Sequence, residues 1–203
     1  MKNLMATLCL IMLFIAKGFG QHSIIYGTTA SYLPEKYAYL YDQDTKILTS
    51  APIVDHQFSF KLDKPEKLKV MTLYFGVDLV KTRDELIKDP NFDSRNGTRV
   101  VALEDTVQVS LLETARSAAV KGGRLNRDID DMFLAIKQKK YEAFFAEHPN
   151  SPIAIVFLKT LATNARNSSA FFSIPECKGY YAKLSEGLKN SDEGKELLAI
   201  MDK

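Results

Sequence analysis

Three histidines, one late cysteine and two carboxylate pairs are the side chains with which this sequence could do chemistry. His22, His56 and His148 are of the type that shuttles protons or ligates a metal. None has a second ligand-type residue at metal spacing on a regular element, so neither a metal site nor a cofactor is expected. His148 sits at a predicted helix end before Pro149, where an imidazolium would favour the negative end of the helix dipole. Cys177 is the only candidate nucleophile beyond the first twenty residues. It falls one or two residues into a predicted helix after Pro175, and a helix start lowers a thiol pKa. The competing reading of Cys177 is a small, partly buried residue without chemistry. Asp130-Asp131 and Asp192-Glu193 fall near predicted helix N-termini, where dipole compensation accounts for them without acid–base catalysis. No CxxC, HExxH, GxSxG or phosphate-binding glycine loop occurs. The residue types point away from an enzyme.

The first twenty residues have the layout of a secretory signal peptide. Lys2 precedes an apolar run from Leu4 to Ala16, then Lys17, and Gly18-Phe19-Gly20 offers a small-x-small cleavage site before Gln21. The run is too short to span a bilayer, which takes roughly 20 residues. Cys9 follows the bulky Leu8 and lies too early for lipid attachment. Export is therefore expected, to the periplasm or the outer surface, with no membrane span left after cleavage. The whole chain has 27 basic and 25 acidic residues, and losing Lys2 and Lys17 leaves these in balance. A neutral chain has no general attraction for nucleic acid. Cys177 then lacks an intrachain partner, so the fold must stand on its core, although an exported free thiol could pair with another chain. Asn96-Gly97-Thr98 and Asn167-Ser168-Ser169 have the form of glycosylation sequons.

Patterning divides the remainder into a strand region, 21–122, and a helical region, 123–203. The expected fold is α+β: an antiparallel β-sandwich followed by a small set of helices. Strands are predicted over 23–27, 37–41, 68–75 and 115–120. Two hairpins are predicted as well, one within Thr49–Leu62 around Val54-Asp55-His56-Gln57, the other joining 99–103 to 106–112. In the second strand Tyr37, Tyr39 and Tyr41 share one face and Ala38 and Leu40 the other. The tyrosine row reads as a half-buried sheet face or as an exposed aromatic platform for a partner. Residues 77–98 form a charged insertion longer than a usual sheet connection. Within it, Thr82-Arg83-Asp84-Glu85 fits a capping box. Helices are predicted from an Asn126 cap to about Glu147, from Ser151-Pro152 to about Ala165, over 176–186, and from a Ser191 cap to the C-terminus. Ile129, Met132, Phe133 and Ile136 form the apolar stripe of the first.

With these residues laid out, the chain resembles the non-catalytic N-terminal half of periplasmic TlpA-like thiol-disulfide oxidoreductases. There a small β-sandwich of unknown function and a helical segment precede a thioredoxin domain. The sandwich carries a pattern close to D-S-A-x-V-x-D-G-K-F-x-F. Thr49–Phe60 reads T-S-A-P-I-V-D-H-Q-F-S-F, keeping Ser50, Ala51, Asp55, Phe58 and Phe60, with His56 in place of the turn glycine. Ile25-Tyr26-Gly27, Tyr39-Leu40 and Ala119-Val120-Lys121-Gly122 are similar to other parts of that sandwich. FFAEHPNS at 144–151 and YAKLSEGLKNSDEGK at 181–195 look like its helical linker. The thioredoxin domain with its CxxC pair is not in this sequence, so the resemblance implies no catalytic residue. It implies a non-enzymatic exported module that binds a protein partner through a sheet face, the Tyr37, Tyr39 and Tyr41 row, or the 77–98 segment. The alternative is the accessory half of a split oxidoreductase, docking a separate envelope CxxC protein of thioredoxin fold, with Cys177 available for a mixed disulfide.

Overall fold

The computed structural model of the chain describes residues 22–90, 92, 97–168 and 171–202. The expected signal peptide, and the sequon residues Asn96 and Ser169, lie outside the described residues. Among the described residues no helix is long and apolar enough to cross a membrane. The chain divides into two compact units, the first ending at Gly123 and the second beginning at Arg124.

Among the described residues the first unit has eight strands: β1 (His22–Thr29), β2 (Tyr37–Asp42), β3 (Leu48–Pro52), β4 (Gln57–Asp63), β5 (Val70–Gly76), β6 (Thr98–Ala102), β7 (Thr106–Leu111) and β8 (Ala119–Lys121). They form two four-stranded sheets, ordered β4-β1-β7-β8 and β3-β2-β5-β6. A single core takes side chains from both. Ile25, Phe58, Phe60, Val107, Val109 and Leu111 come from one sheet; Ala38, Leu40, Ala51, Met71, Leu73, Phe75 and Val101 come from the other. Period-two alternation along each strand supplies these residues, because successive side chains point to opposite faces. Gly27 sits in the middle of this packing, since a Cβ there would meet the Phe58 ring at 2.4 Å and the Val109 carbonyl at 2.5 Å.

Three expectations about the strands are corrected. β3 and β4 do not pair as a hairpin. They belong to different sheets, and only Val54 and Gln57 bridge at the turn between them. β6 and β7 likewise lie in different sheets. The sandwich is mostly but not wholly antiparallel, because β1 runs parallel to β7, with Ile25 opposite Val107 and Gly27 opposite Val109. The reason is common to all three. An alternating segment buries its apolar face equally well against the strand beside it or against the opposite sheet, so alternation does not select the neighbour.

The second unit is helical. We number the helices of the whole chain α1 (Arg83–Lys88, in the first unit), α2 (Arg124–Gln138), α3 (Tyr141–Glu147), α4 (Pro152–Asn167), α5 (Ile174–Lys183), α6 (Glu186–Lys189) and α7 (Asp192–Asp202). α4 packs against α2, α5 and α7. The single helix expected from Asn126 to Glu147 is two. Lys139 takes a φ of 57°, its N–H donates to Ile136, and the Lys140 N–H donates to Ala135. That is a Schellman end, made here without the usual glycine. Asn126 is buried inside α2 instead of capping it, and the apolar stripe is rotated. Ile129 and Ala135 are buried, whereas Phe133 and Ile136 are 37% and 39% exposed. Asp192 and Glu193 do occupy a first helical turn, while Asp130 and Asp131 lie deeper in α2.

Asp42, at the end of β2, is a buried carboxylate held by local geometry. Lys69 Nζ lies 2.6 Å away, the Thr45 hydroxyl donates at 2.7 Å, and the Asp44 N–H donates at 2.9 Å. Burial pushes its carboxyl upward, but the Lys69 and Thr45 bonds outweigh that and hold it well below the usual carboxylate range. A depressed folded-state pKa gives stability that is present above the unfolded pKa and lost as pH falls. Wild-type stability should therefore drop below about pH 4, followed by chemical denaturation across pH. Asp42→Asn should be less stable at neutral pH and show a flatter acid limb.

The Val54–Gln57 turn is two residues tight. Asp55 and His56 have φ of 48° and 61°, and Val54 and Gln57 exchange backbone hydrogen bonds at 2.9 Å. Positive φ at both central positions is the signature of a type I′ turn. Aspartate tolerates this region better than histidine does. His56→Gly should raise stability by about 0.5–1 kcal/mol, net of glycine's greater unfolded-state entropy. The urea midpoint checks this, and Asp55→Gly should gain less.

Candidate functional site

The tyrosine row lies on the outer face of the β3-β2-β5-β6 sheet, opposite Ala38 and Leu40, as its alternation predicts. It is not an open platform. Tyr39 is fully buried, and Tyr37 and Tyr41 are half-buried. The segment following β5 folds over them. The Tyr39 hydroxyl donates to the Asp78 carbonyl and accepts from the Val80 N–H at 3.2 Å. Leu86 of α1 packs on Tyr39 and Tyr74, with Val80 and Phe92 beside it. Arg83 Nε donates to the Tyr74 hydroxyl at 3.0 Å, and its guanidinium stands 5.4 Å from the centre of the Tyr41 ring. Thr82 caps α1 by accepting from the Glu85 N–H, which is half of the expected capping box; the Glu85 carboxylate accepts from the Lys81 N–H at 2.9 Å. The described part of the insertion is thus a cover on the sheet face. Burial pushes the Tyr39 phenol upward against the opposing pull of the Val80 N–H, which keeps it a neutral donor.

The loops at one end of the sandwich present a different surface. Thr29 N–H donates to His56 O at 2.9 Å, and Ala30 N–H donates to Leu111 O at 2.9 Å. The Tyr32 hydroxyl donates to the Leu112 carbonyl. Ile53 N–H donates to Lys36 O, and Lys36 N–H to Gly76 O. These bonds tie the ends of β1, β3, β5 and β7 into one cluster of loops. Each loop carries an apolar side chain directed to solvent: Tyr32, Val54, Leu79 and Leu112 are 61–72% exposed. Single exposed apolar residues are ordinary; here one stands on each of four loops at the same end of the sandwich, an arrangement set by strand order. No sequence period marks it, because the four positions come together only through the fold.

Cys177 is buried at 0% exposure, away from the surface that a mixed disulfide needs. α5 begins at Ile174 and not at residue 176, so Cys177 sits in the fourth helical position with its N–H already donated to Ser173. Ser173 and Glu176 form the capping box, with bonds of 3.3 and 2.7 Å. Burial pushes the thiol upward, and the neighbouring Glu176 carboxylate adds to the effect. A neutral, enclosed thiol is a poor nucleophile.

His148 closes α3, as expected, but its ring does more than face a helix end. Its Nδ1 lies 3.2 Å from Asp128 Oδ1 and its Nε2 3.5 Å from Asp131 Oδ2. Asp128 is buried, accepts from the Ser151 hydroxyl and faces Arg124 Nε at 3.8 Å. The Ser151 oxygen also caps α4 by accepting from Ile153 N–H. Because Ser151 bonds the carboxylate and not the imidazole, the trio is not a serine–histidine nucleophilic arrangement. Asp128, Asp131 and His148 are nevertheless a set of ligand-type residues whose atoms lie within 4.8 Å of one another. The Asp128–Asp131 spacing of three on one helix face was a readable half of this signal. His56 lies on the turn described above, and His22 pairs with the exposed Asp63 across β1 and β4.

No family model matches the chain, and no curated protein matches it.

The cover over the tyrosine face gives a direct test. Tyr39→Phe removes the partner of both the Asp78 carbonyl and the Val80 N–H. It should cost about 1–2 kcal/mol and accelerate hydrogen exchange of the amides over 78–88, leaving the core amides of β2 and β5 protected.

Proposed function

We propose that the chain is a non-catalytic exported module that binds a protein partner through the loop end of its sandwich. The observation that carries this reading is the exposure of Tyr32, Val54, Leu79 and Leu112 on four loops at one end of the sandwich. Loops on a rigid sheet scaffold are where binding residues concentrate. The tyrosine face is a weaker candidate, because the segment after β5 occupies it. The resemblance to N-terminal domains of thiol-disulfide oxidoreductases supplies the class of partner, an envelope protein of thioredoxin fold carrying a CxxC pair. Docking of that kind proceeds here through non-covalent contact, since Cys177 is enclosed.

The test is a pull-down from native envelope extract with wild type, Val54→Glu/Leu112→Glu and Cys177→Ala, each with and without reductant. Wild type and Cys177→Ala should retain the same partner in both conditions. The double glutamate variant should lose roughly tenfold or more in capture while keeping its circular dichroism. Capture unchanged by the two glutamates would overturn the assigned surface. Disulfide reduction by the purified protein, abolished in Cys177→Ser, would overturn the non-catalytic reading.

A further inference from the structure

The cluster around His148 has an unmet requirement. A neutral imidazole carries one N–H and one lone pair, yet both ring nitrogens face carboxylate oxygens, at 3.2 and 3.5 Å. Whichever nitrogen lacks the proton directs its lone pair at an anion. A cation on that nitrogen, such as a metal ion, would satisfy both the lone pair and the carboxylate.

The two carboxylates are not equivalent. Asp128 is buried and is fixed by Ser151 and Arg124, whereas the Asp131 side chain is 54% exposed. Asp128 is thus placed to accept Nδ1–H, which leaves the Nε2 lone pair toward Asp131 and solvent. A buried carboxylate orienting one histidine nitrogen while the other ligates is the usual support of a metal-binding imidazole. The ring plane is held as well, stacked on Phe144 with centres 4.6 Å apart. We infer that His148 Nε2 and the Asp131 carboxylate form a site for a divalent transition-metal ion of the zinc class, with Asp128 as the positioning residue.

The donor set selects the metal. Imidazole with carboxylate suits zinc and its neighbours, whereas magnesium and calcium take oxygen ligands. Zinc bonds to nitrogen and oxygen are about 2.0–2.2 Å, so donors some 3–3.5 Å apart can share one ion. The 3.5 Å separation of Nε2 and Asp131 Oδ2 meets that with little movement. Water fills the positions on the exposed side of Asp131.

Isothermal titration of the purified protein with zinc, in a buffer that does not bind the metal, tests the site. One saturable zinc event is expected near neutral pH, and none with magnesium. Asp131→Asn and His148→Gln should each lower affinity by at least about tenfold, and Asp128→Asn by about tenfold through the loss of orientation. Asp131 is exposed, so Asp131→Asn should keep the circular dichroism of wild type, and His22→Ala should leave the titration unchanged. No saturable binding up to about 1 mM zinc would overturn the inference. So would binding that Asp131→Asn and His148→Gln leave intact. Both results are independent of partner capture by the loop end.

Discussion

Ala51 and Phe58 face one core from opposite sheets, and that crossing constrains the first unit. Between them the chain must leave one layer and enter the other within a two-residue turn. The turn therefore takes positive φ at Asp55 and His56, and its backbone bonds close on Val54 and Gln57 alone. Once β4 stands in the second layer, β1 lies between β4 and β7. The parallel pairing of β1 with β7 follows from the same traffic. Parallel neighbours need a long crossover connection, and here the β3-β2-β5-β6 sheet lies within the chain that links them. Gly27, at the middle of β1, is where the two neighbours close most tightly, against Phe58 and the Val109 backbone.

In the sandwich, which residues are buried was legible in the sequence; what they are buried against was not. Phe58, Phe60, Val107, Val109 and Leu111 alternate with polar residues, and all are in the core. Alternation identifies a face and leaves the partner strand open, so two connections between sheets look like hairpins. In the helical unit the missing mark was chemical. The break at Lys139 has neither glycine nor proline, and a lysine in the left-handed region leaves no trace in the apolar period. Reading one helix through that break rotated the assigned stripe and put Phe133 and Ile136 inside, where they are not. Punctuation with a side-chain mechanism was read correctly at Thr82 and Ser151 and missed at Asn126, which lies within α2. Thr82 and Ser151 both cap helices through their hydroxyls.

The tyrosine face shows how a second layer of packing redirects function. A row of tyrosines on an outer sheet face invites a partner, since the rings are apolar and the hydroxyls need bonds. Here the chain itself supplies both. Leu86 covers the rings, and the Asp78 carbonyl, the Val80 N–H and Arg83 engage the hydroxyls of Tyr39 and Tyr74. A charged segment achieves this with Val80, Leu86 and Phe92 directed inward, while Leu79 and Ile87 stay exposed. With that face closed, the loop end is one surface where apolar side chains meet solvent on several segments.

The helical unit poses the opposite problem, a polar centre beside an aromatic cluster. Phe144, Phe145, Phe157 and Tyr180 stack or meet edge-on within 5.6 Å of one another along a chain of contacts, and Asp128 is buried in the same unit. A buried carboxylate costs several kcal/mol of lost hydration unless it is bonded and paired. Asp128 meets that cost through the ends of two other helices, the His148 ring closing α3 and the Ser151 hydroxyl opening α4. One anion thereby fixes where α2, α3 and α4 meet. The same bonds fix the orientation of the histidine ring, so the direction of Nε2 is set by buried structure and not by solvent. That is why the cluster could not be found whole from spacing. Asp128 and His148 stand on either side of the unmarked helix break at Lys139, and only the fold returns one to the other.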